Sequence, residues 1–143
     1  MLTVVTGPPA AGKSRWIRAH AKPTDIVIDL IALAMAGPGA DHHAHGDVLM
    51  RAVHRARFAA LNEAYEHLDK VDLYVIHTQP SAKALAKYKR LEARTVTVDP
   101  GREIVMERVK AMRQPEMERV VTRWYNARRG HSRAGMPQAS RAW

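Results

Sequence analysis

Leu2-Thr3-Val4-Val5-Thr6-Gly7-Pro8-Pro9-Ala10-Ala11-Gly12-Lys13-Ser14 is the stretch that decides the fold. Its first five residues are apolar and rich in β-branched side chains, which suits a strand buried in a sheet. Gly7 to Ser14 then matches the pattern G-x-x-x-x-G-K-[ST] at every fixed position. Glycine lets the backbone turn sharply and aim its N–H groups at phosphate oxygens. A helical pattern runs on from Lys13 to about Ala21, so the loop opens into a helix N-terminus, whose dipole favours an anion. Lys13 supplies a point charge for β- and γ-phosphates, and the Ser14 hydroxyl a ligand for Mg²⁺. The expected ligand is ATP with Mg²⁺, held by Gly7, Pro8, Pro9, Ala10, Ala11, Gly12, Lys13, Ser14 and Arg15. The plain alternative is a glycine turn that caps an ordinary helix.

Beyond this stretch, strand-like and helix-like patterns alternate. Asp25 to Asp29, Val71 to His77 and Arg94 to Val98 read as further strands. Asp47, as an N-cap, opens a long helix to about Leu68, with an apolar face through Leu49, Val53, Ala56, Ala60 and Ala64 and with Leu61, Tyr65 and Leu68 beside it. Helices are also expected from Pro80-Ser81 to about Leu91, from Asp99-Pro100-Gly101 to about Met112, and from Glu116 to about Ala127. Gln114-Pro115 breaks the last two apart. The alternation predicts an α/β fold with a mostly parallel sheet of four to five strands between helices. Residues 1–127 form the domain, and 128–143, with four Arg and no acid, read as a flexible basic tail.

The carboxyl ends of the strands are where ligands sit in such sheets. Asp29 ends the second strand and should face the crevice of Lys13, as a base toward an acceptor hydroxyl or as a second Mg²⁺ anchor. The alternative is an Asp that caps residues 30–36. The third strand ends in His77-Thr78 with no Asp or Glu, which disfavours a motor ATPase. His77 reads as a satisfied, partly buried histidine ahead of a catalytic one. Arg102, Arg108, Lys110, Arg113, Arg119 and Arg123 follow the fourth strand on two helices. An arginine from a mobile segment can stabilise charge on a transferring phosphoryl group. Arg113, beside the Gln-Pro break, is the first candidate, and Arg108 and Arg119 come next. Glu103, Glu107, Glu116 and Glu118 offer the competing reading of solvated helices with ion pairs. His42, His43 and His45 suggest a metal loop, yet they lack helical spacing and thiolate company. A substrate-facing or plain polar loop fits better.

Composition sets the outer bounds. The chain has 143 residues, 46% hydrophobic, with 23 Lys+Arg against 14 Asp+Glu, a net charge of +9. The absence of cysteine excludes disulfides, thiolate metal sites and a cysteine nucleophile. The longest apolar run, Ile26 to Ala36, contains Asp29 and is too short to span a membrane. The first residues carry no basic n-region, so a cytoplasmic domain without a secretory leader is expected. The charge points to an anionic partner, either a polyphosphate or nucleic acid. DNA or RNA is a candidate acceptor, and also a candidate ligand of the tail, where Trp143 offers a stacking surface.

The order of glycine loop, Asp-ended second strand, non-acidic third strand and Arg-bearing lid resembles the P-loop kinases. It is most similar to their polynucleotide-kinase-like branch and to small P-loop ATPase/kinase proteins of bacteriophage genomes. The segments that carry the likeness are Gly7 to Ser14, Ile26 to Ala32, Tyr74 to Ser81, and Val96 to Arg102 through Trp124-Tyr125. The resemblance implies a three-layer fold with strand order 2-3-1-4 and ATP at the loop. It also implies Asp29 as base on a hydroxyl. That branch carries Arg three residues after the Asp, where this chain has Ala32. The expected function is ATP-dependent phosphoryl transfer to a hydroxyl of a nucleic acid, nucleotide or nucleoside. The alternatives are a small-metabolite kinase and a nucleotide-binding regulatory or DNA-associated ATPase with little turnover.

Overall fold

The strand-forming runs assemble as their β-branched content predicts. The computed structural model describes residues 1–29, 31–41, 45–112 and 115–133. Strands β1 (Leu2–Thr6), β2 (Ile26–Ile28), β3 (Leu73–Ile76) and β4 (Arg94–Thr97) form one sheet in the order β2-β3-β1-β4. Every pairing is parallel, with Val4 opposite Val75 on one side and Thr95 on the other. The order is the one the resemblance implies, realised with four strands.

Parallel strands need crossovers, and helices supply them: α1 (Lys13–His20), α2 (Ile31–Met35), α3 (Asp47–Tyr65), α4 (Ala82–Arg90), α5 (Arg102–Ala111) and α6 (Pro115–Arg133). Alternation along β1 sorts its side chains. Leu2 and Val4 join Leu73, Val75 and Ile28 in a core closed by Leu61, Ala64, Tyr65 and Leu68 from α3 and its exit, and by Ala84 and Tyr88 from α4. Trp16 of α1 meets Tyr74 on the opposite face. Each fully buried Val or Leu contributes about 1.5–3 kcal/mol relative to exposure. A second core gathers Ala11 of the loop with Val105, Val109 and Val121, so α5 and α6 pack beside the carboxyl end of the sheet.

Local chemistry explains several boundaries. Ser81 caps α4, its hydroxyl oxygen accepting the Ala84 N–H at 3.2 Å. Three expectations need correction. Gly46 occupies the cap of α3, and Asp47 lies inside the first turn, where its charge suits the helix dipole. The buried positions of α3 are Val53 and Ala64, with Leu61, Tyr65 and Leu68 packed on the core as expected, but Ala60 is exposed and Arg57 is turned inward. Helix α6 continues to Arg133, so residues 128–133 belong to a helix where a flexible tail was expected from Arg128. The rest of the tail, 134–143, lies outside the described residues. No helix among the described residues is long and apolar enough to cross a membrane.

Candidate functional site

The loop between β1 and α1 owes its path to its glycines. Gly7 has φ +144°, and a Cβ there would lie 2.2 Å from the Val98 carbonyl oxygen. Any side chain would drive the loop off β4. Gly12, at φ 98°, holds the left-handed cap position of α1. Among the described residues no side chain caps that helix, and its first turn carries no acidic residue. Its leading N–H groups thus remain available to an external acceptor, with the positive end of the dipole behind them.

Lys13 folds back over the loop. Its Nζ donates to the carbonyl oxygens of Gly7 at 2.8 Å and Pro8 at 2.7 Å. Burial pulls the ammonium down to about 8, and the charge of nearby Asp29 works in the opposite direction. Desolvation winning over a carboxylate neighbour marks an ammonium short of counter-charge. An anion at the loop would supply it.

Asp29 directly follows β2. It shares with Ser14 a groove of about 390 Å³ that runs between α1 and β2. Lys13 and Ser14, consecutive at the start of α1, and Asp29 at the end of β2 therefore meet at one edge of the sheet. The other loop members, Pro8, Pro9 and Ala11, are buried, and Ala10 adopts φ 60°. Arg15 is exposed on α1.

The arginines divide. Arg108 of α5 donates to the Ala10 carbonyl at 3.0 Å, fastening the helix to the loop. Arg119 is exposed on α6, and among the described residues no hydrogen bond links it to the loop. Arg113 lies outside the described residues, as do His42 and His43 of the histidine loop. Among the described residues no cluster of three or more His, Cys, Asp or Glu side chains is arranged to hold a metal ion.

Beyond β3, His77 is half-buried and its Nδ1 shares a 2.8 Å hydrogen bond with the Tyr88 hydroxyl. Burial, and then the Arg57 guanidinium, push its pKa below the ordinary histidine value. Arg57 itself donates to the Ile76 carbonyl at 2.9 Å. Sequence reasoning missed Arg57, and its in-phase position with Val53 and Leu61 was the available signal. It also missed the tie between Tyr125 and Asp99, 2.5 Å from hydroxyl to Oδ1, and the Trp124 indole N–H donating to the Thr78 carbonyl at 3.0 Å. Asp99 also accepts from the Gly101 N–H at 3.0 Å, an Asx turn that fixes the start of α5. Burial, and then the Asp99 carboxylate, push the Tyr125 phenol well above its ordinary value. Compared with protein-family models and with curated proteins, the chain matches none.

Proposed function

We propose that this chain is a P-loop kinase that moves the γ-phosphoryl group of ATP to a hydroxyl of a nucleic acid, nucleotide or nucleoside. The observation that carries this is the meeting of Lys13, Ser14 and Asp29 at one edge of the sheet, beside an uncapped helix N-terminus. A cradle too tight for a Cβ at Gly7 and an under-neutralised lysine fit a polyphosphate. The Ser14 hydroxyl and the Asp29 carboxylate are hard oxygen donors of the kind Mg²⁺ takes. When bound, Mg²⁺ would offset charge on the phosphate oxygens.

In the reaction, the acceptor oxygen bonds to the γ-phosphorus while the bond to the β–γ bridging oxygen breaks, and ADP departs. Asp29 receives the hydroxyl proton and later releases it to water. Lys13 and the N–H groups of α1 hold the phosphates, and Arg108, already bonded to the loop, keeps α5 over them. The net charge of +9 favours an anionic acceptor.

The test is ATP turnover with and without a panel of oligonucleotides, nucleosides and nucleotides. Lys13→Ala should weaken ATP binding or abolish turnover, and Asp29→Asn should keep ATP binding and lose transfer. Normal binding and turnover in Lys13→Ala would refute the proposal. ATP binding without turnover toward any acceptor would favour a nucleotide-binding regulatory role.

A further inference from the structure

The outer face of α3 is not spent on the fold. Val48, Arg51, Arg55, Phe58 and Asn62 follow one another at steps of three and four, which sets them in one stripe along the helix. All five are exposed. The stripe is about 21 Å long at the rise of an α-helix. It lies across the helix from Val53, Arg57, Leu61 and Ala64, which face the protein. Phe58 is the chain's only phenylalanine, and it is 69% exposed; Val48 is 74% exposed. Single exposed apolar groups are ordinary, but these two bracket a pair of arginines on one line. Between Asp47 and Glu63 the helix carries no acid. Among the described residues neither Arg51 nor Arg55 forms an ion pair, and Asp47, one turn before Arg51, does not reach it. The main-core contacts of α3 start at Leu61, and Arg57 reaches the carbonyl of Ile76, the last residue of β3. The turns before Arg57 thus stand at the carboxyl end of the sheet, on the side opposite α1.

We propose that this stripe is a docking surface for an acidic amphipathic helix of a partner protein. Steps of three and four are the pattern that a second helix packs along, with anchors at the apolar positions and charge pairs between them. Val48 and Phe58 supply the anchors, and Arg51 and Arg55 call for Asp or Glu on the partner. A second copy of α3 does not fit. Parallel packing sets Arg51 and Arg55 against themselves, and antiparallel packing that pairs Val48 with Asn62 sets Arg55 against Arg55. A net charge of +9 adds to that repulsion. A single strand of nucleic acid fits less well. It tracks a run of cations with ring faces between them, whereas here the cations are two and Val48 offers no ring. The surface is independent of phosphoryl transfer.

The experiment is a fluorescence-anisotropy titration of the full chain against a labelled synthetic peptide of about 20 residues, long enough to form a helix. Its seam reads leucine, glutamate, glutamate, leucine at steps of three, four and three. Saturable one-to-one binding is expected. Phe58→Ala should weaken it by about tenfold. The double variant Arg51→Glu/Arg55→Glu should weaken it by about a hundredfold, and should bind instead a peptide whose two seam glutamates are lysines. These side chains are exposed, so circular dichroism should show both variants folded. Lys13→Ala should bind the acidic peptide as wild type does, which separates this surface from the glycine loop. The proposal is overturned if the acidic peptide does not bind, if the lysine peptide binds wild type equally well, or if the charge-reversed variant shows no exchange of preference. Oligothymidylate is the competing probe. If it binds wild type more tightly than the peptide and loses that binding in the double variant, the stripe is a nucleic-acid surface and the protein-docking assignment falls.

Discussion

On the β4 flank of the Gly7–Ser14 loop, α5 and α6 bury Val105, Val109, Val121 and Trp124. Three long-range hydrogen bonds pin that pair of helices: Arg108 to Ala10, Trp124 to Thr78 and Tyr125 to Asp99. On the β2 flank, α1 and the edge strand leave Ile26 and Val27 exposed, with Arg18 and Lys22 exposed nearby. The first flank uses its side chains to hold the loop in place. The second leaves side chains unspent beside the same loop. Residues that stabilise should therefore concentrate on the β4 flank, and residues that recognise a ligand on the β2 flank.

The strongest way to break this contrast is Trp124→Ala. The substitution removes a buried indole, its N–H bond to the Thr78 carbonyl at 3.0 Å and an edge-to-face contact with Tyr125 at 4.9 Å. A loss of about 3–5 kcal/mol is expected, seen as a lower midpoint in chemical denaturation. A loss below about 1 kcal/mol would mean that α6 does not brace the site.

Next in size is a stabilisation. Lys13 has a pKa of about 8 in the folded chain against 10.5 ordinarily, mainly because burial penalises its charge. Below pH 8 both folded and unfolded chains carry the proton, and the fold bears the full desolvation cost. Between pH 8 and 10.5 the unfolded chain binds more protons, so wild-type stability rises with pH across that window. Lys13→Met should thus be more stable than wild type at pH 7, by about 1–3 kcal/mol. The gap should close as pH approaches 10.5. Thermal unfolding of both proteins across this range measures it, and a variant less stable than wild type at pH 7 would show that the two carbonyl contacts outweigh burial.

Much of this was legible in the sequence because it is local. β-Branched runs announce buried strands, and a glycine-framed lysine followed by a helical pattern announces the loop. That Asp29 lies beside Lys13 and Ser14 was legible because it ends the second strand. The end of α6 was not legible. Arg128 to Arg133 have no apolar periodicity, so the pattern stops at Ala127 while the helix does not. Extending a formed helix costs little, and Arg128 lies over the Trp124 ring at 4.7 Å, one turn back. The Tyr125–Asp99 bond was hidden for another reason. It joins residues 26 apart, and only the packed α5–α6 pair brings them together.

Tyr125→Phe sharpens the contrast by a smaller step. It removes one hydroxyl and leaves Asp99 with the Gly101 N–H. A cost of about 1 kcal/mol is expected in denaturant titration, with the ring still packed. A neutral result would assign the pinning of α6 to Trp124 alone.

The smallest effect is expected on the β2 flank. Arg18 and Lys22 are exposed, and no side-chain hydrogen bond is formed by either among the described residues. Replacing both with Ala removes no buried group, and Ala suits the helical position of Arg18 at least as well as Arg does. Stability should move by no more than about 0.5 kcal/mol. Val27→Thr keeps the β-branch that a strand favours and exchanges one exposed methyl for a hydroxyl, so it too should be near neutral. Denaturation midpoints check both. If either substitution cost more than about 1 kcal/mol, these side chains would be structural, and the division between a bracing flank and a recognising flank would fail. If stability stays level, the exposed valine and the two cations have no part in bracing the fold, and the contrast between the flanks stands.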